Sequence, residues 1–250
     1  MGRPGLFFVT LCLLAGGAGV AIAERSPEAG KVTYVAGDAF VIRNAEQRPL
    51  AEGDKVLSSD TLVTGERGRI SLVMRDDSKI FIGRLSRIDV SEYVVKERSL
   101  ISGAFNMLWG KVRFYVAKIG KGSAFNVSTQ TAVLGVRGTE FIVTVPIPGG
   151  ITDPTAIQLP PSIPPEVTKV VGIEGMVVGL SRSGERMAIT PGVTVEFTQG
   201  GDVIFRFSDK PNIPKPLPGA GPDIPKVPGP ADVKPPPPPV VHPPINGLVY

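Results

Sequence analysis

Thr129 to Phe141 reads T-Q-T-A-V-L-G-V-R-G-T-E-F. Two apolar, β-branched runs are interrupted by Gly135 and Gly138, with Arg137 between them, a pattern that predicts strand, turn and strand. Glycine at those places supplies a positive φ or lets a second backbone approach where a side chain would block it. Arg137 is then held in one direction, and two readings follow. Its guanidinium is an internal fork satisfied by carbonyls or by a carboxylate such as Asp54, Asp60 or Glu174, or it meets an anion or a partner's carboxylate.

Working outward, period-2 alternation dominates past residue 30. Ile70, Leu72 and Met74 alternate with Ser71 and Val73; Val112, Phe114 and Val116 with Arg113 and Tyr115; Val193, Val195 and Phe197 with Thr194 and Glu196. Turn segments punctuate these runs at 44–48, 65–68, 75–78 and 181–185. Short strands so spaced predict an all-β chain, an antiparallel sandwich, jelly-roll or β-roll-like domain, over residues 24–208. Leu100 to Trp109 is the least clear stretch and leaves room for a short helical turn.

Two proline-rich stretches depart from the pattern. The first, 146–166, interrupts the domain and makes the pairing of Phe141–Val145 with Val167–Val171 less secure; it is read as a mobile insertion or as a binding loop. The second is the tail 209–250, where proline recurs every few residues and Pro235 to Pro239 is unbroken. Such a composition cannot bury a core and favours a disordered, polyproline-like tail, either a tether or a terminus without a role.

The N-terminus fixes the expected compartment. Arg3, the apolar run Leu6–Leu14 and the A-x-A site Ala21-Ile22-Ala23 read as a secretory signal peptide over residues 1–23, with the mature chain starting at Glu24. A periplasmic or secreted location follows, with no membrane span after cleavage. The lone cysteine, Cys12, lies inside the signal. The mature protein therefore has no disulfide and no thiolate chemistry.

The single histidine, His242, lies in the tail, where no rigid surround would orient a triad or a zinc site. No pair among the 23 acidic residues is marked by spacing for acid–base work. No enzymatic role, no cofactor and no metal is expected. The formal net charge of +4 falls to +3 once Arg3 is removed, too mild for a nucleic-acid partner. Trp109 and Tyr115 read either as core or rim packing or as aromatic candidates for partner contact beside Arg137, and with Tyr93 they form the whole basis for an envelope glycan-binding alternative.

The Thr129–Phe141 stretch, together with Gly30-Lys31-Val32, Pro49-Leu50 before Gly53-Asp54, Thr64-Gly65, Asp76-Asp77-Ser78 and Gly110-Lys111-Val112-Arg113, resembles the FecR-type domain family over roughly residues 30–205. Thr131, Ala132, Gly135, Arg137, Gly138, Thr139 and Phe141 carry the signature. The resemblance implies an exported module that contacts cell-envelope proteins as a binding or scaffold unit. The family's signalling members sense a TonB-dependent receptor and regulate iron-uptake genes, so a component of periplasmic surface signalling is the alternative. The resemblance carries over no catalytic residue.

Overall fold

The computed structural model describes residues 27–151, 153–158 and 167–207. The expected signal peptide, the proline-rich tail and part of the insertion lie outside the described residues. Among the described residues there are seventeen strands and no helix.

The strands form two hydrogen-bonded layers. In order, the first holds β4 (Lys55–Leu57), β1 (Glu28–Ala36), β6 (Arg69–Met74), β7 (Lys79–Ile82), the C-terminal half of β9 (Ser99–Tyr115), β12 (Glu140–Val145), β13 (Val167–Glu174), β16 (Val193–Thr198) and β17 (Val203–Phe207). The second holds β3 (Glu46–Pro49), β2 (Ala39–Arg43), β5 (Thr61–Thr64), β8 (Ser86–Lys96), the N-terminal half of β9, β10 (Ala124–Ser128), β11 (Ala132–Val136), β14 (Val177–Ser181) and β15 (Arg186–Ile189). Every pairing is antiparallel except β9 with β10.

β9 therefore belongs to both layers, and its crossing point is chemically determined. Up to Trp109 it pairs with β8, and from Gly110 onward it pairs with β12. Gly110 has φ +108, and a Cβ there would lie 2.1 Å from Ser86 Oγ. Only glycine fits this corner. The same Ser86 hydroxyl accepts the Lys111 amide at 3.2 Å, which holds the strand just past the bend.

The core lies between the layers and is rich in phenylalanine. Phe105 and Phe125 of the second layer meet Phe114 of the first at centroid distances of 5.7 and 6.0 Å, and Phe114 stacks on Phe141 at 5.1 Å. Ile70, Leu72, Met74, Val112 and Val195 are buried beside them, as their alternation requires. Leu100–Trp109 is strand, not helical turn: Phe105, Met107 and Trp109 point inward at every second position.

The hairpin turns fall where polar and glycine residues predict them. Asn44 and Ala45 have φ of 52° and 61° and join Arg43 to Glu46, the two-residue geometry that matches strand twist. Asp77, with φ 66°, turns β6 into β7. The insertion does not break the sheet on either side of it. β12 and β13 pair from Thr144↔Lys169 to Glu140↔Glu174.

Candidate functional site

The signature spans β11, the tight connection through Arg137 and Gly138, and the start of β12. Alternation sends Ala132, Leu134 and Val136 inward and leaves Val133 exposed. Thr131 is fully buried, and its hydroxyl donates to Thr168 Oγ1 at 2.6 Å; Thr168 donates to Thr129 Oγ1 at 2.8 Å, and Thr129 to the Ala132 carbonyl at 3.2 Å. This relay ties the strand opening to β13 across the fold.

The two glycines do different things. Gly138 has φ +66, and a Cβ on it would come within 3.3 Å of the Lys118 backbone, so it meets both expectations of a constrained position. Gly135 lies in regular strand, and a Cβ there would meet nothing nearer than 3.7 Å. The expectation of positive φ or close approach fails for Gly135. Its outward position over Val178 needs no side chain to be absent.

Arg137 also departs from the expected internal fork. Its side chain is exposed, and Nη2 donates to the Gly120 carbonyl at 3.2 Å. None of the proposed carboxylates reaches it. Asp60 is held by Arg43 through two bonds of 2.6 and 2.7 Å, which raises the Arg43 pKa, chiefly through that hydrogen bonding. Asp54 lies 3.9 Å from Arg48.

The fork that does exist is Arg113 with Glu140. Both side chains are buried, at 8 % and 4 % exposure, and they are joined through Arg113 Nε and Nη2 to Glu140 Oε1. Glu140 immediately follows Thr139 of the signature, while Arg113 ends the upstream Gly110–Arg113 segment. Sequence reading missed the pair, although Arg113 is embedded in an apolar run, V-R-F. A charge in such a run is the signal for a buried partner.

Trp109 is buried, and the Arg87 guanidinium lies 5.7 Å from its ring centroid. Arg87 also donates to the Ala156 and Ile157 carbonyls at 2.6 and 3.3 Å, docking this part of the insertion on the second layer. Burial lowers the Arg87 pKa. Tyr93 is buried too, with its hydroxyl donating to Asp76 Oδ1 at 2.6 Å; burial first, then the Asp76 charge, pushes its pKa upward. Neither ring is available to a sugar, and of the three aromatic candidates only Tyr115 is partly exposed.

Among the described residues, two surfaces stand out. On the outer side of the second layer, Val133 lies opposite Leu180 and Gly135 opposite Val178, giving a strip of exposed apolar side chains that Met176 extends. At the bend of β9 a groove of about 780 Å³ opens between Phe81, Arg84, Lys111 and Ile142. No group of three or more metal-ligating side chains occurs among the described residues, and no helix there is long and apolar enough to cross a membrane.

The relation to known proteins follows the same segments. Residues 60–152 match the family described as FecR protein. This FecR match holds both halves of the Arg113–Glu140 pair and the whole signature. Two crystal structures of a "putative anti-sigma factor from Parabacteroides distasonis ATCC 8503", at 2.50 and 1.65 Å, are similar at 16 % identity and a TM-score of 0.45. In each case the alignment covers 60 % of this chain and 60 % of the other. No curated protein matches the chain.

Proposed function

We propose that this chain is a non-enzymatic, exported FecR-like module that binds another protein of the cell envelope, as a binding or scaffold unit. The observation that carries the reading is the outward strip Val133, Val178 and Leu180. Contiguous exposed apolar side chains on one sheet face are the kind of surface that marks protein interaction sites. The strip includes Val133 of the signature strand, beside the Thr131 relay that ties that strand to β13.

A second reading, a component of periplasmic surface signalling linked to TonB-dependent receptors and iron uptake, is supported by the FecR match over 60–152. The two differ in what the partner does afterwards, not in the need for one. Val178→Lys combined with Leu180→Asp, both at exposed positions, tests the shared step. The double variant should keep its melting midpoint and lose capture of the protein that the unaltered chain cross-links in the envelope. Equal capture by both would rule out this face. Loss of iron-responsive transcription on deleting the gene would favour signalling over scaffolding.

A further inference from the structure

The groove at the β9 bend has a charge pattern that the rest of the fold does not explain. Phe81 and Ile142, at 9 % and 2 % exposure, form its apolar floor, and Pro146 and Ile147 wall it where β12 leads into the insertion. Arg69, Arg84 and Lys111 stand around this floor and are exposed. No acidic side chain lines it, and none of these three cations forms an ion pair with a described residue. Arg113 also lines the groove, but it is engaged by Glu140.

Three like charges gathered without carboxylates cost self-repulsion, and the apolar wall at Pro146 and Ile147 is left open to water. An occupant that supplies both anions and an apolar anchor relieves both. The three cations are exposed on long side chains, Arg113 is engaged by Glu140, and Thr144 is the one hydroxyl residue in the lining, so the groove offers few of the fixed polar points that orient a small ligand. Phe81, Arg113 and Ile142 are register partners on β7, β9 and β12, so the floor crosses three neighbouring strands as a trough long enough for an extended chain to lie in by its side chains.

We propose that this groove receives an extended segment of a partner protein in which carboxylates flank at least one large apolar side chain. The proposal rests on the reading of the chain as a protein-binding module and names the chemistry of one partner segment. Its site is distinct from the Val133–Leu180 strip.

The test is selection of a displayed random dodecapeptide library on the full chain, followed by titration of the strongest peptide against that chain and against Arg84→Glu combined with Lys111→Glu. Both residues are exposed, so the fold should persist, and the melting midpoint checks it. Enriched peptides should carry aspartate or glutamate around leucine, phenylalanine or a similar side chain. Affinity should fall at least tenfold in the charge-reversed variant and weaken as salt rises.

Enriched peptides without acidic bias, or binding within twofold by the charge-reversed variant, would overturn the proposal. So would charge-dependent binding of phosphatidylglycerol vesicles or inorganic phosphate with no peptide enriched, which would assign the groove to an anionic headgroup or a free anion. Peptide binding that ignores the charge reversal but is lost in the Val178→Lys, Leu180→Asp variant would sink the groove and leave the protein-binding reading standing. Failure of both peptide selection and envelope capture would remove both.

Discussion

Arg113 and Arg137 sit at opposite ends of the segment that matters most, and they invert the prominence the sequence lends them. Arg137 stands between two glycines and draws the eye, yet it is exposed and makes one bond to a backbone carbonyl. Arg113 is unremarkable among valine and phenylalanine, yet it is buried against Glu140. Energetic weight follows burial, because water competes for an exposed guanidinium and cannot reach a buried one.

The sharpest way to break this contrast is at Glu140. Glu140→Ala leaves the Arg113 charge buried without its carboxylate and should destabilise by about 3–5 kcal/mol, read as a shift of the urea midpoint. Replacing both members by apolar residues, Arg113→Met with Glu140→Leu, should recover most of the loss, since isosteric apolar pairs are often no worse than a buried ion pair. A single variant that unfolds no more easily than the parent chain would show that water already reaches the pair.

Gly138 comes next. Gly138→Val places a β-branched side chain at φ +66 and against the Lys118 backbone, at a cost of about 1–3 kcal/mol. Gly135→Ala, in regular strand with open space around it, should be near neutral. The two glycines bracketing Arg137 thus separate into one constrained position and one free one. Thermal midpoints that fell equally for both would contradict the geometry.

Much of the fold was legible because alternation reports burial directly. Ile70, Leu72 and Met74 face the core as their spacing says, and Asn44 and Asp77 turn where short polar residues tolerate positive φ. Leu100–Trp109 was harder to read because Ile101 and Leu108 put apolar side chains on the outward positions and blur the binary pattern. Nothing local announces that β9 serves two layers. Gly110 is the sign of it, and its meaning depends on Ser86, which lies far away in sequence.

The candidate site was legible only in part. The signature's outline could be read from its residues, but an ion pair between Arg113 and Glu140 depends on the register Ile142↔Arg113, which places Glu140 one step along the same face. Register is a tertiary quantity. Trp109 and Tyr93 turn out to be core packing, one of the two roles their sequence leaves open, because composition cannot say which side of a strand faces solvent.

The relay of threonines offers a smaller effect than either. Thr131→Val keeps the volume and removes the hydroxyl that donates to Thr168, which should cost about 1 kcal/mol. Thr168 keeps its own bond to Thr129, so the loss is of one link and not of the chain. A loss as large as that of Glu140→Ala would mean that the relay acts as a cooperative unit and outranks a single hydrogen bond.

Arg137→Ala carries the smallest expected effect and is the most informative about function. Only the exposed bond to the Gly120 carbonyl is lost, so the melting midpoint should move by the equivalent of no more than about 0.5 kcal/mol. Because the side chain stands in solvent beside the rigid Gly138 turn, it is free to meet a partner's carboxylate, and the same variant should be assayed for envelope capture. Unchanged stability with weakened capture would make Arg137 a contact residue. Unchanged stability and unchanged capture would leave the turn geometry of Gly138 as the reason the signature exists. A destabilisation approaching that of Glu140→Ala would erase the distinction between the two arginines, since it would mean that solvent does not weaken the outer one as its exposure requires.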